Sequence, residues 1–188
     1  MDIEGAQRCL GEVDVQALSE RILAQEPEAW TEQAVRQQTY EVHKDTESIV
    51  MLFCDESWPN GGDIYREPGW DRLADVAMPL IDHIIETYYA PGGTLLRAMA
   101  AKLKVQGRIH PHRDMLRSFH MGHRIHVPIT TNAAVRFTID GKPYAFEVGK
   151  AYELNNQKKH SVINMGSEDR ISFIFDYVPA DQLPNTQA

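Results

Sequence analysis

The 188-residue chain has only two cysteines, no long basic run and no long apolar run. Cys9 and Cys54 are too few for a disulfide framework and lack the spacing of zinc ligands, so we expect reduced thiols. The acidic N-terminus, MDIEGAQRCLGEVD, lacks the apolar segment of a secretory signal. No stretch approaches the roughly 18 apolar residues of a membrane span. These absences predict a cytoplasmic protein without a membrane partner.

The charge balance argues against a nucleic-acid partner. The chain has 19 basic and 27 acidic residues, a net charge of −8. Nucleic-acid binding depends on Lys and Arg side chains that neutralise phosphates, so nucleic acid is disfavoured. The length fits one domain of roughly 100–200 residues. Because 43% of the residues are hydrophobic, enough to form a core, we expect a single domain over residues 1–188.

The first half of the chain has helical and mixed patterns. Apolar residues at helical spacing predict an amphipathic helix over 13–25, and the apolar run 47–54 predicts a buried strand. Glycines and prolines predict a loop over Trp58–Gly69. Asp71 has the position of an N-cap for a helix that continues to about Tyr89. We interpret residues 1–93 as an N-terminal support with flanking helices.

From residue 94 onwards, short β-like runs alternate with turn signals. Asp140-Gly141 is typical of a two-residue hairpin turn, because both central residues need a positive φ. The sequence predicts a mostly β protein, a double-sheet jelly roll or barrel, with its core over 94–178 and a tail over 179–188. The predicted strands are 94–105, 108–112, 123–130, 134–140, 142–148, 151–154, 160–164 and 170–178.

Two histidines and one aspartate have the spacing of an iron site. His112 and Asp114 are two residues apart, so an extended segment points both side chains the same way. His160 follows 46 residues after Asp114 (160 − 114), several predicted strands later. Two histidines and a carboxylate hold Fe(II) on one side, and oxygenases use the open side for a co-substrate and O₂. The sequence therefore predicts an Fe(II) site.

Strand alternation brings further polar side chains to one face. Arg124 and His126 share a face of the predicted strand 123–130, opposite Ile125, Val127 and Ile129. A sheet face in water would carry scattered Lys, Glu and Thr, whereas these strands offer His, Arg, Asn and Ser. We therefore interpret the polar face as a functional interior.

Arg170 lies ten residues after His160 (170 − 160), at the start of the next predicted strand. The sequence that follows it, ISFIFDY, is nearly all apolar, so a surface ion pair is disfavoured. A guanidinium pairs with a carboxylate through two hydrogen bonds and keeps its charge when buried. We expect Arg170 to anchor a dicarboxylate.

The second half of the chain contains a set of specific motifs: IxPHxD, RIHVPITTN, the turn G-x-x-Y-E-L-N-N, HxVxN and R-I-x-F-x-F-D. With these motifs, residues 95–178 resemble the aspartyl/asparaginyl β-hydroxylase-like branch of the 2-oxoglutarate-dependent oxygenases, with a weaker likeness over 42–53. The resemblance implies a double-stranded β-helix (a cupin-like jelly roll) that holds Fe(II) through the three residues above. It implies that Arg170 binds the distal carboxylate of 2-oxoglutarate, and that Arg124 and His126 lie near the other end of this co-substrate.

The resemblance also bears on the substrate. Animal members that hydroxylate Asp and Asn in proteins have Gly where this chain has Asp114. Bacterial hydroxylases of free amino acids, such as the proline hydroxylases, keep the full triad, as this chain does. We therefore expect hydroxylation of a C–H bond of an amino acid or amino-acid-derived substrate, or of a peptide or protein side chain, with release of succinate and CO₂.

Outer residues of the site are also predicted. Asn164 is expected to orient an iron ligand or the co-substrate, because it shares a strand face with His160. The loop Met115–His123 follows the ligand motif and is expected to border the mouth, with substrate contacts from Arg117, His120 and His123. This loop and Trp58–Trp70 are both candidates for a lid.

Two other functions use the same pattern. A cupin-type metal enzyme without 2-oxoglutarate would keep the ligands but would not need Arg170. A non-catalytic binding module would have no reason to keep all three ligands.

Overall fold

The structure is a computed structural model that describes residues 3–32 and 44–183. The strands are β1 (Gln7–Glu12), β2 (Thr46–Cys54), β3 (Ile64–Arg66), β4 (Thr94–Leu103), β5 (Arg108–His112), β6 (His123–Thr130), β7 (Val135–Ile139), β8 (Lys142–Tyr144), β9 (Lys150–Leu154), β10 (His160–Asn164) and β11 (Arg170–Val178). The helices are α1 (Gln16–Leu23), α2 (Pro27–Thr31), α3 (Gly69–Tyr88) and α4 (Arg117–Met121), with a 3₁₀ turn at Ala180–Gln182. None of these helices is long and apolar enough to cross a membrane.

The strands form two antiparallel sheets that face each other. The larger sheet has the order β1-β9-β6-β11-β4-β2-β3, and the smaller one has the order β5-β10-β7-β8. Between them lies a buried cluster that takes Leu103 and Tyr152 from the larger sheet and Phe137 and Val162 from the smaller one. Two closely packed sheets of this kind form a jelly roll, so the predicted fold class is confirmed.

Helices α1, α2 and α3 cover the outer face of the larger sheet. The apolar side of α3, the helix predicted to continue to about Tyr89, is buried there through Leu73, Ala77 and Ile84. Helix α3 begins at Gly69, where a Cβ atom would lie 2.3 Å from the backbone oxygen of Val50. Only a glycine allows the start of α3 to lie this close to β2.

Strand β6 separates this outer core from the interior. Ile125, Val127 and Ile129 pack into the core beneath the helices, whereas Arg124 and His126 line an interior cavity. The predicted alternation is therefore confirmed. Its physical basis is the two-residue period of a strand, which gives each sheet face its own set of side chains.

Several predicted elements differ in detail. The structure adds β1, which pairs with β9, and the short strand β3 inside the predicted loop 58–69. Asp71 was expected as an N-cap, but α3 begins two residues earlier and Pro68 has the N-cap position. Asp71 lies in the first turn, where an acidic side chain still interacts favourably with the helix dipole.

The hairpin turn is as expected, with φ angles of 48° at Asp140 and 76° at Gly141. The predicted strand 142–148 is regular only over β8, and residues 115–123 contain α4. Two parts of the sequence predictions lie outside the described residues. They are residues 42–43, from the segment 42–53 with the weaker family resemblance, and residues 184–188 of the predicted tail.

Candidate metal centre

The two candidate histidine ligands are cross-strand neighbours. His112 ends β5 and His160 begins β10, and the two residues pair in register. Their ring centroids are 4.4 Å apart. A register irregularity follows at once, because the step from His160 to Val162 on β10 lies opposite the longer step from His112 to Ile109 on β5. Pairing of the smaller sheet thus brings together two histidines that lie 48 residues apart (160 − 112).

Asp114 completes the cluster. Its Oδ1 atom lies 3.6 Å from His112 Nε2, and the ligand atoms of the three side chains all lie within 4.8 Å of one another. Asp114 is 8% exposed, and its backbone N–H donates to the carbonyl of Asn156 at 3.2 Å. Two nitrogens and one oxygen at this spacing fit a single iron ion held on one side.

Each histidine is held through its Nδ1 atom. His112 Nδ1 lies 2.8 Å from the carbonyl oxygen of His110, and His160 Nδ1 lies 3.0 Å from that of Lys158. An Nδ1–H that donates to a carbonyl fixes the tautomer in which Nε2 has a free lone pair. Burial lowers the pKa of His160, which favours the neutral imidazole that metal coordination requires.

Arg124 contacts Asp114 on the side away from His112. Arg124 Nη1 donates to Asp114 Oδ2 at 2.5 Å, and its Nε and Nη2 atoms donate to the two oxygens of Asp176, both at 2.8 Å. Burial alone would lower the pKa of Arg124, but the carboxylates of Asp114 and Asp176 raise it overall. Arg124 is thus paired with protein carboxylates, although the resemblance implied a place near the co-substrate.

Arg170 has the opposite surroundings. It is 5% exposed, and its side chain forms no hydrogen bond or ion pair with any described residue. Its guanidinium carbon lies 5.8 Å from the ring centroid of Phe137. Burial without a counter-charge lowers the pKa of Arg170 to about 10. A buried guanidinium of this kind has all its donors available for a ligand carboxylate.

One narrow cavity connects Arg170 to the two candidate histidine ligands. His112 and His160 lie in its wall together with Arg124, His126 and Arg170. The remaining wall is mostly apolar and includes Phe137, whose ring centroid is 6.5 Å from that of His160. Two predicted metal ligands and three predicted co-substrate residues therefore line one interior cavity.

Asn164 lies elsewhere. It is fully buried at the end of β10, where its Nδ2 atom donates to the carbonyl of Glu168 at 2.8 Å and to that of Lys104 at 3.2 Å. Its Oδ1 atom accepts from Gly166 N at 3.1 Å. These bonds join the β10–β11 turn to β4, and Asn164 is not among the residues that line the cavity.

The three predicted substrate residues separate into two groups. Arg117 and His120 are exposed on α4, which begins three residues after Asp114. His123 is 9% exposed on the outer face of β6, where Nδ1 bonds to Glu153 and Nε2 lies 3.1 Å from Gln182 Oε1. Because β6 begins at His123, alternation directs this ring away from the cavity that Arg124 and His126 line.

Sequence reasoning did not assign Asp176 and Arg97 to the site. Their side chains are each 1% exposed, and Arg97 Nη1 lies 3.3 Å from Asp176 Oδ2. A signal for both exists in the sequence, because each is a single charge within an otherwise apolar run, LLRAMAA or ISFIFDYV. A charge in the middle of a buried strand is rare unless it is paired.

The fold and the site together define a double-stranded β-helix with two histidines and an aspartate clustered as a candidate metal centre. The family model for aspartyl/asparaginyl β-hydroxylase matches residues 21–179, and the chain belongs to this family. This membership indicates an oxygenase of the 2-oxoglutarate- and Fe(II)-dependent type. No curated protein sequence matches the chain.

Solved structures share the fold at low sequence identity. A 2OG-Fe(II) oxygenase-family oxidoreductase from Burkholderia pseudomallei has a TM-score of 0.55 at 10% identity, over 71% of this chain and 67% of its own. The viral collagen prolyl hydroxylase of Paramecium Bursaria Chlorella virus-1, in a 2OG complex, has a TM-score of 0.53 at 8% identity, over 94% of this chain and 97% of its own. The non-heme monooxygenase ThoJ, in a nickel complex, has a TM-score of 0.53 at 12% identity, over 92% and 72%.

Proposed function

We propose that the protein is an Fe(II)- and 2-oxoglutarate-dependent hydroxylase. It would act on a C–H bond of an amino acid or amino-acid-derived substrate and release succinate and CO₂. The observation that carries the proposal is the cavity whose wall includes two histidines of the candidate triad, His112 and His160, together with the buried Arg170 that has no counter-charge among the described residues. That combination matches a ligand that chelates metal at one end and ends in a carboxylate at the other.

Each residue of the site has its own proposed role. His112, Asp114 and His160 would hold Fe(II), which supplies the oxidation chemistry when bound. Arg170 would bind the distal carboxylate of 2-oxoglutarate through two parallel hydrogen bonds. His126, 8% exposed, lines the space between and limits where the co-substrate can lie. The apolar wall excludes water from the reacting groups.

Substrate contacts are proposed on α4. Arg117 and His120 are exposed there, and the helix follows the segment that carries Asp114. The full triad, with Asp114 where animal members have Gly, supports a small amino-acid substrate over a side chain of a folded protein. A panel of free amino acids and short peptides, assayed for substrate-stimulated succinate formation, tests this choice.

The metal and co-substrate assignments have a spectroscopic test. Protein loaded anaerobically with Fe(II) should develop a visible charge-transfer band when 2-oxoglutarate is added. Asp114→Ala should abolish both metal binding and the band, whereas His83→Gln, on the surface of α3, should change neither. A wild-type protein that binds Fe(II) but gives no band, together with an Arg170→Ala variant that stays fully active, would instead favour a cupin-type enzyme that does not use 2-oxoglutarate.

A further inference from the structure

Four charged side chains of alternating sign form a chain that ends on Asp114. Arg97 contacts Asp176, Asp176 contacts Arg124, and Arg124 contacts Asp114. All four side chains are largely buried: those of Arg97 and Asp176 are each 1% exposed, and that of Arg124 is 12% exposed. The set contains two positive and two negative charges, so every charge in it has a partner of opposite sign.

Asp176 fixes the direction in which Arg124 points. Its two oxygens accept from Nε and Nη2 of Arg124 at 2.8 Å each, an arrangement in which the planar guanidinium cannot rotate. Only Nη1 then extends to Asp114, where it binds Oδ2. The other oxygen of Asp114, Oδ1, is left on the side of His112 Nε2, 3.6 Å away.

Arg97 holds Asp176 and also holds α4. Arg97 Nη1 lies 3.3 Å from Asp176 Oδ2, and Nη2 donates to Ser118 Oγ at 2.7 Å. The Phe119 ring centroid lies 4.1 Å from the guanidinium carbon of Arg97 and 4.6 Å from that of Arg124. The chain of charges therefore also anchors the segment that follows Asp114.

We propose that Asp176 and Arg97 are positioning residues for Asp114. They hold Arg124 so that it occupies one oxygen of the Asp114 carboxylate and leaves the other oxygen for the metal. Without the charge of Asp176, the Arg124 guanidinium would keep Asp114 as its one partner carboxylate among the described residues, and it would be free to cover both oxygens of Asp114. The inference rests on the proposed metal site and concerns how well that site is aligned.

The test uses Co(II) as a spectroscopic probe in the full chain. Asp176→Asn should bind Co(II) about 10- to 100-fold more weakly than wild type, the usual effect of removing a group that orients a metal ligand. The visible absorption of the Co(II) protein should change as well, because the position of the Asp114 oxygen sets the geometry around the ion. Circular dichroism of the same samples reports whether the fold is kept.

Glu153→Gln is the matched control. Glu153 is 0% exposed and is paired with Arg8 at 2.7 Å and with His123, but on the other face of the sheet. This variant should leave the Co(II) affinity and spectrum unchanged. An equal loss of affinity in Glu153→Gln would overturn the proposal, because any lost buried charge would then have the same effect.

A second variant covers the case in which Asp176→Asn does not fold. Arg97→Lys keeps the charge but cannot reach both Asp176 and Ser118, and it should weaken Co(II) binding by about 10-fold. The inference is overturned if a folded Asp176→Asn variant keeps the wild-type Co(II) affinity and spectrum. If Asp176→Asn does not fold, the same result in Arg97→Lys overturns it. A wild-type protein that binds no Co(II) would instead contradict the proposed metal site itself.

Discussion

Arg124 and Arg170 lie on neighbouring strands of one sheet and line the same cavity, yet their partners differ completely. Arg124 meets the carboxylates of Asp114 and Asp176, whereas Arg170 meets none among the described residues. A buried charge without a partner destabilises the folded protein, and a buried pair does so much less. The guanidinium of Arg124 therefore has its counter-charges within the folded protein, while that of Arg170 remains available for the carboxylate of the proposed co-substrate.

The largest expected effect follows from removing the paired arginine. Arg124→Met should lower the free energy of unfolding by about 3–5 kcal/mol, because two buried carboxylates lose their main partner. Urea denaturation of the metal-free protein measures this change. Arg21→Met, which breaks the exposed pair with Asp75, should cost at most about 1 kcal/mol and serves as the control. Equal losses in the two variants would contradict the assigned role of Arg124.

Arg170→Met should act on the ligand. We expect the Kd of 2-oxoglutarate to rise roughly 100-fold, about 3 kcal/mol, because its distal carboxylate loses a two-pronged hydrogen-bond partner. Anaerobic titration of the charge-transfer band gives the Kd. The Kd of Co(II) in the same variant should stay at the wild-type value. A parallel loss of metal affinity would place Arg170 in the metal centre and not at the far end of the co-substrate.

Without ligand, the same Arg170→Met substitution should stabilise the protein. We expect the free energy of unfolding to rise by about 1–2 kcal/mol, because methionine fills the space without a buried charge. Saturating 2-oxoglutarate, at 100 times its Kd, should stabilise metal-loaded wild type by about 2.7 kcal/mol and the variant far less. Thermal denaturation with and without 2-oxoglutarate measures both effects, and a destabilised ligand-free variant would show that Arg170 has a partner in the protein.

A smaller effect is expected from the buried carboxylate of Glu153, which lies on the other face of the larger sheet. Burial alone would raise the pKa of Glu153, but His123 and Arg8 lower it below its ordinary value of 4.5. The unfolded chain then binds more protons, so the stabilisation is present above pH 4.5 and is lost as the pH falls through the lowered pKa.

At acid pH, Glu153→Gln should therefore reduce the slope of the free energy of unfolding against pH by up to about 1.4 kcal/mol per pH unit. Urea denaturation at several pH values measures the slope. Glu147→Gln removes an exposed carboxylate, 66% accessible, that is paired only with Lys150, and it should leave the slope unchanged. A slope that is the same in wild type and both variants would mean that Glu153 is not the titrating group.

Local pattern was sufficient to predict much of the fold and the triad. The apolar run ISFIFDY after Arg170 indicated a buried strand, and the two-residue spacing of His112 and Asp114 does bring their ligand atoms together at the end of β5. His123 could have been placed correctly by the same rule, since β6 begins at that residue. The predicted roles of Arg117 and His120 stay predictions.

Other features depend on distant contacts that a local pattern does not contain. Strand β1 has a single fully buried position, Leu10, and pairs with β9 more than a hundred residues later in the chain. Likewise, nothing local distinguishes Arg124 from Arg170. Their difference arises because Asp176, and not a residue near Arg170, lies opposite Arg124 in the register of β6 and β11.

The carbonyl groups that hold His112 and His160 belong to residues two positions earlier in the chain, His110 in β5 and Lys158 in the bend before β10. Both rings are therefore aligned before any metal arrives, so binding requires little rearrangement and loses little conformational entropy. Because only main-chain atoms take part, every amino acid at positions 110 and 158 supplies the same acceptor. Mutational drift at these two positions can therefore change the surface around the site while the alignment of the imidazoles is inherited unchanged.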